Sequence, residues 1–125
     1  MNPEYEAIFY DLPDGSEPAA EFINSQPNKM AAKILWTIGL LEDNGPALRE
    51  PYSKPLGDGI FELRTKLGSD ITRVLYFFMV GKKAVLTHGF VKKQQETPPE
   101  EIDRARKYRS EYLNRKENEN HGKNI

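Results

Sequence analysis

The amino-acid sequence predicts an α+β domain, in which helices pack on a small and mostly antiparallel sheet. Residues 60–93 contain three runs rich in β-branched and aromatic side chains, separated by short glycine turns at 68–70 and 81–83, which is typical of an antiparallel meander. Residues 28–44 carry apolar side chains at helical spacing, which predicts an amphipathic helix. A chain of 125 residues is long enough for one core and suits one domain.

The elements before the meander are predicted from turn signals. Residues 4–12 are rich in aromatic and aliphatic side chains and end at the turn 13–15, so they predict an opening strand. Ser16 predicts the start of a short helix, because its hydroxyl can accept the free amide hydrogens of a first turn. The longer helix at 28–44 ends at a Gly-Pro pair, and the glycines and prolines of residues 45–59 predict a connecting loop.

Charged side chains follow a pattern along the meander. In its first run charged and apolar residues alternate, so Glu62, Arg64 and Lys66 share one face of the strand. The middle run is apolar on both faces apart from Arg73, and the third contains His88 and ends in two lysines. We expect two helices to cover the apolar face of the sheet, while the face with these charges stays open to solvent.

The last helix is predicted from its capping signal. Thr97 followed three residues later by Glu100 forms a capping box, and a loose apolar stripe continues from there to about Leu113. Residues 114–125 are polar and without periodicity, which predicts a disordered tail. The predicted domain therefore spans residues 1–113.

Charge is segregated along the chain. The total is −1, but residues 1–50 carry a net charge of −6 and residues 51–93 a net charge of +5. A local field of one sign steers a charged ligand to a surface, so the strands are the predicted contact surface for an anion. Trp36 lies in the acidic half, far in sequence from these strands, and we expect it to make a packing or partner contact rather than to stack on a base.

Composition narrows the functional classes. The chain has no cysteine, which excludes a disulfide framework and a thiolate metal site. No apolar run approaches the roughly 20 residues that a membrane-spanning helix needs, and the acidic N-terminus lacks the basic region of a signal peptide. We expect a cytoplasmic protein. Glycine loops for phosphate and His clusters with metal spacing are also missing from the sequence, so we expect no cofactor and no metal.

The strand motifs resemble a known family. The pattern Glu-Leu-Arg at 62–64, Arg-Val-Leu-Tyr-Phe at 73–77, Leu-Thr-His-Gly-Phe-Val-Lys-Lys at 86–93 and Thr-Pro at 97–98 is similar to the phage-derived HigB branch of the RelE superfamily of toxins. The resemblance implies a RelE-like fold and a ribosome-dependent mRNA endonuclease. It also implies a small HigA-like helix-turn-helix antitoxin that binds the toxin as a hetero-oligomer. From the charge distribution we expect the antitoxin on the acidic helical half, residues 1–50, or on the last helix.

Metal-free cleavage of RNA requires particular chemical groups, and these residues can supply them. The 2′-OH attacks the adjacent phosphorus, so the site needs a base, an acid and fixed cations for the developing charge. The predicted catalytic residues are Arg64 and Arg73 as phosphate forks, His88 for proton transfer, and Lys93. The resemblance leaves the acid and base open, with Glu62 as a further candidate. Backbone phosphates are predicted to contact the remaining lysines of this region, Lys54, Lys66, Lys82, Lys83 and Lys92.

Structural roles stay open for the same residues. Arg64 and Lys66 also suit a solvated sheet face, and Arg73 also suits an ion pair with Glu62 or Asp70 across the hairpin. His88 could be a strand residue without a proton role. Two other functional classes stay open as well: a toxin-like fold that only binds RNA or protein, and a hydrolase of small anionic substrates.

Overall fold

The computed structural model describes residues 3–123, which form one sheet with helices on both faces. The predicted α+β class is confirmed, and the arrangement is consistent with a RelE-like fold. The five strands have the order β1-β5-β4-β3-β2, with β1 parallel to β5 and all other neighbours antiparallel. The elements are β1 (Glu6–Phe9), α1 (Pro18–Asn24), α2 (Asn28–Asn44), a 3₁₀ turn (Gly45–Ala47), β2 (Ser53–Gly57), β3 (Ile60–Leu67), β4 (Asp70–Met79), β5 (Lys83–Val91) and α3 (Pro99–Lys123).

Helices α1 and α2 cover one face of the sheet, as predicted. Ala19 of α1 and Ile34 of α2 are fully buried against Leu63 of β3 and its neighbours in β4 and β5. Gly89 of β5 faces α1, and a Cβ at this position would collide with the ring of Phe22. The close contact between α1 and β5 therefore requires a glycine there.

The opposite face is not open to solvent, which corrects the prediction. Helix α3 lies across it, and Ala105 and Tyr112 of α3 pack on Leu75, Phe77 and other buried side chains of the sheet. The alternating charged side chains occupy only part of this face. Its other positions are apolar and must be covered by a second layer, as the apolar positions beneath α1 and α2 are.

Helix α3 is longer than predicted, running to Lys123 instead of ending near Leu113. Arg115 explains part of the extension: it is one helical turn from Glu111, which it contacts at 3.1 Å, and it also binds Asp11 of the loop after β1 at 3.4 Å. A polar segment therefore stays helical because side-chain pairs and a tertiary contact stabilise it. Residues 124–125 of the predicted tail lie outside the described residues.

Residues 45–59 are not only a loop, since they include strand β2, which pairs antiparallel with β3. Pro55 made this strand hard to predict, because proline has no N–H group to donate. At the edge of the sheet β2 has a strand on one side only, so a proline is tolerated there. The start of α1 is also corrected: Ser16 does not cap it, because its hydroxyl donates to Asp14 instead at 2.7 Å. None of the helices described within residues 3–123 is long and apolar enough to cross a membrane.

Candidate nucleic-acid interface

Cationic side chains gather at one end of the sheet. Antiparallel pairing brings the end of β3 beside the start of β4 and the end of β5, with Lys66 opposite Ile71 and the Lys92 amide bonded to the Ile71 carbonyl at 2.9 Å. We call this the cationic end. Its partly or fully exposed cations are Arg64, Lys66, Lys92 and Lys93.

A buried ion pair lies beneath these cations. Glu62 is fully buried, and its carboxylate contacts Arg73 Nε at 2.6 Å and Arg64 Nε at 3.3 Å. Burial lowers the pKa of Arg73, although the Glu62 carboxylate opposes this effect. Arg64 remains a quarter exposed, so it is held by Glu62 while it still faces solvent.

Arg73 is a buried anchor rather than a surface cation. Its side chain is 1% exposed, and its terminal nitrogens donate to Thr97 Oγ1 at 3.0 Å and to the Gln95 carbonyl at 2.7 Å. Thr97 in turn donates to Glu62 at 3.1 Å, and α3 begins at Pro99, so Thr97 is not the residue directly before the helix as predicted. The open alternative, an Arg73–Glu62 pair across the hairpin, is the one found. Its donors are used within the protein, and its role as a phosphate fork stays a prediction.

His88 is buried beneath α3. Its Nε2 lies 3.3 Å from the carboxylate of Glu101, its Nδ1 lies 3.1 Å from the Thr87 hydroxyl, and the Tyr108 ring packs against it. Burial, with a smaller effect from the positive charge of Arg104, lowers the pKa of His88 to about 4. The imidazole is therefore neutral at pH 7 and buried, and its role in proton transfer stays a prediction.

A groove crosses the cationic end. A cavity of about 540 Å³ has Lys92, Lys93 and Glu101 in its wall, with Arg73 at its base. A second cavity of about 330 Å³ shares Lys92 and Lys93 with the first. A third, of about 220 Å³, has Ile71 in its wall as the second does, so the three cavities follow one another around the end of β3 and β4, and we call them together the groove.

Glu101 is one of two carboxylates of the groove, with Glu96, that sequence reasoning did not select. Its carboxylate is 18% exposed and contacts both His88 and, at 3.8 Å, Arg104. It lies in the first turn of α3, whose position over the sheet could not be inferred from the strand motifs. A carboxylate beside ammonium groups in one cavity provides a proton acceptor and fixed cations at the same place.

The remaining predicted lysines do not join this cluster. Lys82 and Lys83 lie at the opposite end of β5 from Lys92 and Lys93, about 30 Å away along the strand. Lys82 contacts Glu4 there at 3.2 Å. Lys54 is on β2 opposite Glu62, half-buried and beside the cationic end rather than in the groove. A group of three or more His, Asp or Glu suited to hold a metal does not occur among residues 3–123.

Comparison with protein-family models identifies one match. The family described as phage-derived protein Gp49-like (DUF891) matches residues 21–110, from α1 into α3 and across the whole groove. No curated protein matches the chain.

Proposed function

Because the chain belongs to the phage-derived Gp49-like family, which is related to the toxins of toxin–antitoxin systems, we propose that it is the toxin of a type II pair that cleaves mRNA on the ribosome. The observation that supports this proposal best is the groove at the cationic end. It combines exposed ammonium and guanidinium groups with a carboxylate, on the part of the chain that the family shares.

The cations of the groove suit the backbone of single-stranded RNA. Arg64 is oriented by Glu62 and presents its remaining donors to solvent, which favours bidentate contact with a phosphate. Lys66 and Lys93 are exposed, and Lys92 is half-exposed between them, so they can contact successive phosphates as point charges. Lys54 would contact the strand only at the margin of the groove.

Glu101 is the base in the proposed cleavage. In our proposal its carboxylate accepts the proton of the RNA 2′-OH while the 2′ oxygen forms a bond to phosphorus. The bond from phosphorus to the 5′ oxygen breaks, and the ammonium of Lys93 gives that oxygen its proton. Lys92, in the wall of the same cavity as Glu101 and Lys93, stabilises the charge that develops on the phosphoryl oxygens, and Arg64 binds a neighbouring phosphate of the strand. His88, neutral and in contact with Glu101, positions this carboxylate.

Primer extension on mRNA with purified ribosomes tests the proposal. Wild-type protein is expected to cut translated mRNA only when ribosomes are present, and Lys92→Ala and Lys93→Ala should each lower the rate roughly 100-fold, as removal of one transition-state contact does. Lys83→Ala is the matched control, because this lysine lies on the same strand as Lys92 but at its other end. Cleavage that needs no ribosome would contradict the proposal and favour a hydrolase of free substrates.

RNA binding without cleavage is a second candidate. It is favoured by the burial of Arg73 and His88, two of the four residues that the sequence predicts as catalytic. Glu101→Gln separates the candidates, because it should abolish cleavage while RNA is still bound. If the wild-type protein and this variant block translation equally and leave mRNA intact, the binding module is the better description.

A type II toxin implies an antitoxin. We propose that a small helix-turn-helix protein, encoded next to this chain, binds it as a hetero-oligomer and neutralises it. Expression of this chain alone should arrest bacterial growth, and expression with the neighbouring gene should restore it. Harmless expression of the wild-type chain alone would contradict the proposal.

A further inference from the structure

Two aromatic side chains form an exposed corner beside the groove. Trp36 of α2 is 52% exposed, and its ring meets that of Tyr52, just before β2, at 5.9 Å between centroids with 73° between the planes. An exposed tryptophan of this kind is unusual, since large aromatic rings are mostly buried. It is the single tryptophan of the chain.

This corner lies against the cations of the groove. Trp36 and Tyr52 line the cavity of about 220 Å³ together with Lys33, Arg64 and Lys66, and no carboxylate lines it. Trp36 is therefore close in space to the cationic strands from which it is distant in sequence. Helix α2 and β3 pack side by side, which brings this part of the acidic half against the cationic end although the two are distant in sequence.

We infer that this corner binds one unpaired base of an RNA strand that continues along the groove, an inference that rests on the proposed function. Phosphates at Arg64 and Lys66 would place a neighbouring base next to the Trp36 and Tyr52 rings, because these four residues share one cavity. Single-strand binding proteins combine the same two features, a cationic track and aromatic faces on which bases stack.

Size and charge favour a base over a protein segment. The cavity is smaller than the roughly 300 Å³ at which pockets for drug-sized ligands begin, so it suits one planar ring system. An apolar peptide would offer no partner to Lys33 and Lys66 and would leave Arg64 with Glu62 alone, which would make that complex costly. A base can stack on the rings while its attached phosphates pair with the cations.

The single tryptophan makes the inference directly measurable. Titration of the full chain with a short, unstructured single-stranded RNA should quench the fluorescence of Trp36, because a stacked base contacts its ring. A ribose-phosphate oligomer of the same length without bases should bind through the cations and leave the emission nearly unchanged. Equal quenching by both oligomers, or by neither, would overturn the inference.

Two variants separate stacking from general surface effects. Trp36→Ala should weaken RNA binding about tenfold or more, whereas Trp36→Phe should keep most of the affinity. Leu35→Ala is the matched control, since Leu35 is its helix neighbour, is 55% exposed and does not line the cavity. Unchanged affinity in Trp36→Ala would overturn the inference and leave the corner as a protein-docking surface.

The ribosome assay separates this inference from the proposed function. Quenching and a Trp36→Ala effect without mRNA cleavage would support the base pocket and refute the endonuclease. Cleavage that Trp36→Ala leaves unchanged, with no quenching by RNA, would refute the base pocket and support the endonuclease.

Discussion

Arg73 differs from the other cations of the sheet because its guanidinium donates to neighbouring groups of the protein. Glu62, Thr97 and the backbone of residues 94–95 surround the guanidinium, which therefore fixes the segment between β5 and α3. Lys92 and Lys93 directly precede that segment. Arg73 therefore affects the groove indirectly, because it fixes the shape of the groove wall. Sequence alone could not distinguish this role from phosphate binding, because both place an arginine on the same strand face.

Removal of Arg73 should therefore affect stability before activity. Arg73→Ala leaves the buried Glu62 carboxylate with Arg64 and the Thr97 hydroxyl, and we expect the free energy of unfolding to fall by about 3–5 kcal/mol in urea denaturation. The double variant Glu62→Met with Arg73→Met should lose less than either single variant, because no charge is left buried. Full stability in Arg73→Ala, together with lost cleavage, would contradict the anchor role.

His88 makes stability depend on pH. Its pKa of about 4 in the folded protein is below the ordinary value near 6.5, so the unfolded chain binds more protons between these values. The stabilisation is present above pH 6.5 and is lost as pH falls toward 4. From pH 7.5 to pH 5 it amounts to about 2 kcal/mol. The free energy of unfolding, measured from pH 5 to pH 7.5, should show this pH dependence in the wild type and lack it in His88→Gln. Parallel pH profiles of the two proteins would refute the role of His88.

At the scale of elements, α3 explains most of what the sequence did not predict. Its buried face is short, and its outer turns are polar, so periodicity predicted a disordered tail. The helix is instead held by contacts to distant segments, such as Arg109 to Asp58 in the turn between β2 and β3 at 2.9 Å. The strands of the meander were predictable because alternation and turn residues are local, whereas β2 and the cover over the second face depend on tertiary packing.

Arg115 tests whether the outer part of α3 is anchored. Its guanidinium lies over the rings of Tyr10 and Tyr112, at 5.9 and 5.5 Å from their centroids, and also contacts Asp11. Arg115→Ala should lower the free energy of unfolding by about 1–2 kcal/mol. Lys107→Ala, an exposed position on the same helix, should change it by less than about 0.5 kcal/mol. Equal effects would mean that the anchor contributes nothing specific.

At the scale of the molecule, the fold divides the predicted lysines between the two ends of the sheet. Pairing of β3 with β4 and of β4 with β5 brings Arg64 and Lys66 of β3 to the same end of the sheet as Lys92 and Lys93, which follow β5, and this register follows from the hairpin turns. The sequence could not indicate that helix α2 adds an aromatic corner to one end of the groove, or that α3 adds Glu101 to the other. Those contributions come from layers that are far from the meander in sequence.

The salt dependence of RNA binding tests most directly whether the strand lies at the cationic end. Each phosphate contact with a single strand contributes about 0.7 to the slope of log affinity against log salt concentration. The double variant Lys92→Ala with Lys93→Ala should reduce that slope by about 1.4, while Lys82→Ala with Lys83→Ala, at the other end of the same strand, should leave it unchanged. Equal reductions in the two double variants, or a reduction only in the second, would contradict the account.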